Sequence, residues 1–286
     1  MKKTQKQKTE LMRFDWYAAT VREDVNEILD VLAVGLDAEI KTGKPKQGYA
    51  QGNTLTRNGS TVCTVFSGGR NGWPHVYASG DDTDALVPVL RAAWPLTHYV
   101  TRMDSAQDFD GPETWDRLYA PTIELADELH LKVNQAGDWH RLEAGRTLYL
   151  GAPTSAVRTR LYEKGKQLRG LAPDGGPEIS LDLVRLEVQV RPDGEARYTA
   201  ARSTPAQAYG YANWTQELQR RILDVDVERV MIRERRMSDR ERALEYCIQQ
   251  YGAHMASLGG ELGSPEALGV YLMKRHAINL VRKADR

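Results

Sequence analysis

Apolar and polar positions alternate with a period of two along several stretches of this chain, the signature of strands with one buried face. The stretch Leu181–Arg191 is the clearest. Leu186, Val188 and Val190 fall on a core side, and Arg185, Glu187, Gln189 and Arg191 on the other. From Val157 onward, Arg158, Arg160, Tyr162 and Lys164 share one face, with Thr159 and Leu161 on the opposite one. In His98–Asp108, Arg102 and Asp104 share a face. The pattern predicts strands near 12–21, 48–56, 60–67, 74–79, 97–105, 140–150, 157–164 and 180–191. Helical spacing predicts helices near 24–36, 82–93, 113–131 and 206–236. Strand hairpins interleaved with single helices imply an α+β fold, an antiparallel sheet with helices on one face and an open polar face.

The sheet reads as duplicated. Arg13-Phe14-Asp15 precedes a helix-like segment, as Arg102-Met103-Asp104 does. Gly52-Asn53-Thr54-Leu55 echoes Gly145-Arg146-Thr147-Leu148, and Val62–Phe66 echoes Val157–Leu161. The offsets cluster near roughly 90 residues, as one duplication with small insertions would leave them. The expected organisation is a disordered basic tail (1–11), a first, scaffold repeat (12–96), a second, catalytic repeat (97–237) and a C-terminal helical region (238–286). No counterpart of Tyr162 survives in the first repeat, whose glycine-rich Gly68–Gly72 loop beside Trp73 is a plausible surface contact. In the last region Ser238 and Glu241 form a candidate capping box, and Gly259-Gly260 is expected to end that helix. Ser264-Pro265 starts another helix. Pro173–Pro177 reads as a loop.

Composition narrows the classes. With 286 residues the chain can bury a sizeable core, and 39 basic against 39 acidic residues make the net charge zero. Any basic surface must therefore be local. Lys2, Lys3, Lys6 and Lys8 form one such patch, and the Arg233–Arg242 run, mixed with Glu234, Asp239 and Glu241, reads as a solvated helix face. Two cysteines, Cys63 and Cys247, are too few for a disulfide framework, so a reducing, cytoplasmic setting is expected. No apolar run approaches the about 20 residues of a membrane span. The six histidines include no H-x-H pair, and P-loop, G-x-S-x-G and zinc-type C-x-x-C motifs are absent. Tyr209, Tyr211 and Trp214 have core spacing, whereas Tyr149 has the placement of a ring that stacks on an extruded base.

A tyrosine between cations on a polar sheet face is costly to assemble unless an anion lies there, and a DNA phosphate is the obvious one. Cations beside Tyr162 would lower the cost of a phenoxide nucleophile. Three stretches each present an arginine two residues before an acid or tyrosine: Arg102 and Asp104, Arg160 and Tyr162, Arg185 and Glu187. Neighbouring strands lie about 4.8 Å apart. If these three pair side by side, both acids and the phenol share one neighbourhood that suits Mg²⁺ or Mn²⁺. The alternative is a set of cross-strand salt bridges on a solvated face.

The ordered set Arg102–Asp108 (R-M-D-x-A-x-D), Thr147–Gly151 (T-x-Y-x-G), Arg158–Gly165 (R-x-R-L-Y-E-K-G) and Arg185–Val190 (R-L-E-V-Q-V) resembles the replication initiation factor family. These are rolling-circle initiators of plasmids and filamentous phages, with related nicking relaxases. Phe14-Asp15-Trp16 resembles the opening of its members. The resemblance implies a site-specific DNA nickase that joins the 5′ end of the cut strand to a tyrosine, here Tyr162, with Lys164 in support. It implies a divalent metal, Mg²⁺ or Mn²⁺, on Asp104 and Glu187, with Glu163 as a further ligand if the strand ends or bulges. Arg102, Arg158, Arg160 and Arg185 would contact DNA. Implied partners are double-stranded origin DNA, its extruded single strand, a host helicase and a second copy in a homodimer, in a bacterial cytoplasm. Two alternatives stay open: a non-catalytic nucleic-acid-binding module on the exposed sheet face, and a mobile-element transfer relaxase.

Overall fold

The computed structural model describes residues 12–171, 178–223, 227–231 and 239–284. The first half runs β1 (Arg13–Val21), α1 (Val25–Leu36), β2 (Glu39–Gly43), β3 (Gln51–Arg57), β4 (Ser60–Ser67), β5 (His75–Ser79) and α2 (Asp82–Ala93). The second half repeats the plan with β6 (His98–Phe109), α3 (Thr114–Glu128), β7 (Val133–Gly137), β8 (Arg146–Leu150), β9 (Val157–Tyr162), α4 (Lys164–Leu171) and β10 (Val184–Val190). Short helices α5 (Ala196–Ala200) and α6 (Pro205–Ala208), a 3₁₀ turn (Tyr209–Tyr211) and α7 (Asn213–Leu223) follow.

All ten strands form one antiparallel sheet in the order β2-β3-β4-β5-β1-β6-β10-β9-β8-β7. The order is symmetric about the central β1–β6 pair. Each half places its first strand inside, its last strand next to it, and the earliest hairpin strand at the edge. Both halves share one sheet and one core. The architecture is α+β, as the alternating pattern implies.

One face carries the core. Tyr17, Val65, Val76, Leu148, Leu161, Leu186 and Val188 are buried there. They pack against Ile28, Leu32 and Leu36 of α1, Leu86 and Leu90 of α2, and Leu118 and Leu125 of α3. The i, i+4, i+8 spacing on α1 presents that single stripe. Asp24 starts the helix by accepting the Asn26 N–H at 2.8 Å and the Glu27 N–H at 3.3 Å. At the sheet centre, His98 Nε2 meets the Tyr17 hydroxyl at 2.9 Å and its Nδ1 meets the Trp94 carbonyl at 3.0 Å.

Several boundaries differ from expectation. The edge strands β2 and β7 have almost no buried side chain, so they carry no alternation to detect. β9 stops at Tyr162, and Lys164 opens helix α4 rather than continuing the strand. The glycine of the R-x-R-L-Y-E-K-G stretch is explained there: a Cβ on Gly165 would lie 1.9 Å from the Ser180 carbonyl oxygen. Over its described residues, the helix expected at 206–236 is divided into α6, the 3₁₀ turn and α7, and 227–231 carry no helix.

The described residues up to 231 form one compact unit, and those from 239 onward a second. The second consists of α8 (Asp239–Leu262) and α9 (Pro265–Ala284). Helix α8 runs through Gly259 and Gly260 and is closed by Gly263, with φ of 86°. The Ser264 hydroxyl caps α9 by accepting the Ala267 N–H at 3.1 Å. The basic tail, the Pro173–Pro177 loop, Ser238 and the side chains of the Arg233–Arg242 run lie outside the described residues. Among the described residues no helix is long and apolar enough to cross a membrane. Cys63 and Cys247 are free thiols.

Candidate active site on the open sheet face

Tyr162 ends β9. Antiparallel register sets it opposite Arg185 of β10 and Thr147 of β8, while Glu187 stands opposite Arg160. The phenol therefore reaches one pair along β10, where its O–H donates to Glu187 Oε1 at 2.7 Å. Glu187 Oε2 accepts from Arg160 at 3.1 and 2.6 Å. The Arg160 guanidinium covers the Tyr162 ring at 4.4 Å from its centroid, and Lys164 Nζ lies 5.7 Å from that centroid. Tyr162 is only 4% exposed.

That burial corrects one expectation. Desolvation raises the Tyr162 pKa above the ordinary phenol value and the Glu187 charge adds to it, outweighing Arg160 and Arg185. Arg160 and Arg185 are already engaged by acids, and Lys164 donates to the Gln167 side chain at 3.1 Å, so they do not make the phenoxide cheap in the free chain. Desolvation likewise raises Glu187, against the opposing pull of Arg160 and Tyr162. The resting pair is a neutral phenol held by a carboxylate whose basicity is elevated.

Asp104 stands on the same face, opposite Gln189. It accepts from Arg102 Nε at 2.9 Å and Nη2 at 2.5 Å, and from Gln189 Nε2 at 3.3 Å. Glu163 lies elsewhere. Once the strand ends, it turns to accept the Arg146 N–H at 2.7 Å, Arg146 Nη2 at 3.0 Å and Lys166 Nζ at 2.9 Å. Burial opposes its charge, but bonds from Arg146 and Lys166 hold its pKa below the ordinary carboxylate value. It clamps β8 to α4 and is not brought together with Asp104 and Glu187.

Beside Glu187 the face opens into a cavity of about 220 Å³. Arg102, Arg158, Arg160 and Arg191 line it together with Asp104, Glu187, Gln189 and Tyr149. The Arg158 guanidinium stacks 3.9 Å from the centroid of Tyr149, and its buried Nε has no hydrogen-bond partner. Burial, and the nearby Arg191 and Arg160, hold the Arg158 pKa below the ordinary value against the pull of Tyr149. Four guanidinium groups against two carboxylates, with a donor left open, suit an anion.

They suit a metal ion poorly. Asp104 and Glu187 already accept guanidinium donors, and Glu163 does not line the cavity. Among the described residues no three acidic, histidine or cysteine groups gather in a geometry that would hold a cation. The implied Asp104–Glu187–Glu163 ligand set does not fit this arrangement.

Two acids that alternation alone did not single out also converge near Tyr162. Arg185 donates to Asp108 at 2.5 and 2.8 Å and to Asp15 at 2.7 Å. Arg13 donates to Asp108 at 3.0 Å. A bulge between Phe14 and Trp16 breaks the alternation of β1, which lets Asp15 reach the open face between Arg13 and Trp16. Both acids sit within the motif letters quoted above, and that was the available signal. Burial opposes the Asp108 charge, but Arg185 and Arg13 hold its pKa below the ordinary value.

Fold and site together define an α+β protein with a twofold-repeated antiparallel sheet and a tyrosine–carboxylate pair beside an arginine-lined cavity. No family model and no curated protein matches the chain. Among solved structures it is similar to that of a rolling circle replication initiator protein from Geobacillus stearothermophilus. The two share 20% identity over 81% of this chain and 90% of that one, with a TM-score of 0.51. The likeness is one of fold.

Proposed function

We propose that this chain is a rolling-circle replication initiator that nicks and rejoins one DNA strand at an origin through a covalent bond to Tyr162. The observation that carries the reading is the 2.7 Å hydrogen bond from the Tyr162 hydroxyl to Glu187, at the edge of an anion-suited cavity. The shared fold with a rolling circle replication initiator supports the same reading.

The scissile phosphate enters the cavity and competes with Glu187 for Arg160, whose side chain is 35% exposed and able to swing. As Arg160 moves to the phosphate, it uncovers the Tyr162 ring and removes a cation from Glu187, which becomes a stronger base. Glu187 takes the phenol proton while the tyrosyl oxygen attacks phosphorus. The bond to the 3′ oxygen breaks, and that oxygen takes a proton from solvent to leave a 3′-hydroxyl primer, while Glu187 returns the phenol proton to solvent. The 5′ phosphate stays on Tyr162 as an ester. Because one phosphate ester replaces another, the reverse step rejoins the strand without a nucleotide cofactor. Arg102, Arg158 and Arg191 neutralise the charge that develops.

The burial of the phenol favours a second reading, a sheet that binds nucleic acid without chemistry. One experiment separates the two. The purified chain is incubated with supercoiled origin-bearing plasmid and Mg²⁺ or Mn²⁺. A protein–DNA adduct that survives denaturation is expected, and shifted but intact DNA would leave only the binder.

A further inference from the structure

Rings occupy the open face of the first half. Trp16 of β1 stacks on Tyr77 of β5, with centroids 5.0 Å apart and planes 11° from parallel. Tyr77 meets Phe66 of β4 at 5.9 Å. Tyr49, from the loop before β3, stacks on Phe66 at 5.6 Å and on His75 at 5.8 Å. Gly69 makes room for it, because a Cβ there would lie 2.5 Å from the Tyr49 ring. Register places these side chains away from the core: Tyr77 opposes Ala18 and Thr64, and His75 opposes Phe66. The packing against the helices does not need them.

Three further observations point to a ligand. Tyr77 and the buried Phe66 wall a cavity of about 260 Å³ that Asn53 and the buried Thr64 also line. Lys44 and Lys46 stand at its rim, exposed, and among the described residues neither has an ion-pair partner. The Trp16 Nε1–H is buried with no hydrogen-bond partner, a donor left open. The row is also continuous with the site already described, since the Arg102 guanidinium lies 4.7 Å over the Trp16 ring while it holds Asp104.

We propose that this face binds single-stranded DNA, stacking unpaired bases on Trp16 and Tyr77 and meeting the phosphates with Lys44 and Lys46. Flat rings take any base by its face, and lysines without partners take the backbone, so recognition is tolerant of sequence. The proposal deepens the nicking reading and rests on it: a strand must be unpaired to reach a buried tyrosine, and this platform holds it open beside the site. A closed duplex presents no free base faces and gains nothing from the rings.

The test compares a fluorescein-labelled single strand with the same strand made abasic over its central nucleotides, using the full chain. Binding is followed by anisotropy and by quenching of tryptophan fluorescence. The unaltered chain is expected to bind the base-bearing strand roughly tenfold or more tighter than the abasic one. Tyr77→Leu and Trp16→Leu should erase that ratio and leave affinity for the abasic strand unchanged. Lys44→Ala with Lys46→Ala, both exposed and harmless to folding, should weaken both strands alike and lower the salt slope by about one to two. Equal affinity for the two strands, or an undiminished ratio in Tyr77→Leu, overturns the platform. The covalent adduct is scored separately. A platform that discriminates without any adduct sinks only the nicking reading, and an adduct without discrimination sinks only the platform.

Discussion

On the first half of the sheet, β1, β4 and β5 turn Trp16, Phe66, His75 and Tyr77 to the open face. On the second half, the equivalent β6, β9 and β10 turn out Asp104, Arg160, Tyr162 and Glu187. The strand order is the same in both halves, and both contribute side chains to one apolar core. What differs is a handful of outward side chains that the core does not use. The two halves thus share one scaffold, and their open faces differ: rings crowd one, ionisable side chains the other.

The largest expected effect lies wholly in the second half. Tyr162→Phe removes only a hydroxyl, so the denaturation-resistant adduct should vanish while single-strand affinity changes less than about twofold. An adduct that persists would move the nucleophile elsewhere. Glu187→Gln should slow nicking by about 10²- to 10⁴-fold, the usual worth of a positioned base. In the unaltered chain the acid limb of the pH–rate profile should sit above the ordinary carboxylate range, because burial raises Glu187. Nicking falls as pH drops through that value and the base is protonated. Glu187→Gln should lose the limb, and a limb that survives would assign it to another group.

Equivalent core positions sharpen the claim of a shared scaffold. Leu55 and Leu148 occupy matching places in β3 and β8 and are both fully buried. Replacing either with alanine should cost about 2–5 kcal/mol in denaturant unfolding, in a single transition. A transition of the sheet that moves in one variant and stays put in the other, apart from any belonging to the helical unit at 239–284, would mean that the halves unfold separately.

Histidine gives a gentler probe. Burial holds His75 and His98 near pKa 4, below the 6.5 of a free imidazole. The unfolded chain binds those protons first, so stability should fall as pH is lowered from about 6.5 towards 4. Replacing His75 with phenylalanine should flatten that loss in a thermal-midpoint series, and an unchanged slope would remove His75 from the account.

The smallest effect concerns the metal. Asp104 is held by Arg102 and Gln189, so Asp104→Asn should lower nicking less than about tenfold. It should leave the Mg²⁺ or Mn²⁺ concentration for half-maximal rate where it was. A shift to higher metal would restore Asp104 as a ligand.

Much of this was legible in the residues. Arg158, Arg160 and Tyr162 on one face, and Leu186, Val188 and Val190 on the other, follow from alternation in strands that are buried on one side only. The edge strands β2 and β7 were invisible because both their faces are wet. Asp15 was obscured by a bulge, which shifts a side chain to the other face without any local mark in composition. Lys164 stays near Tyr162 by a different route from the one alternation implied, through the first turn of a helix.

Periodicity is a property of neighbours in the chain, so the sequence alone determined which side chains share a face and that such faces recur in two copies. It could not say that β10 inserts between β6 and β9, nor that Glu187 meets Tyr162 while Glu163 turns to Arg146. Those partnerships join residues far apart in the chain, and only the packing of the whole sheet sets their register. Whether an acid beside an arginine holds a metal, a phenol or merely its neighbour is decided at that level, by which charges are already satisfied when the strands come together.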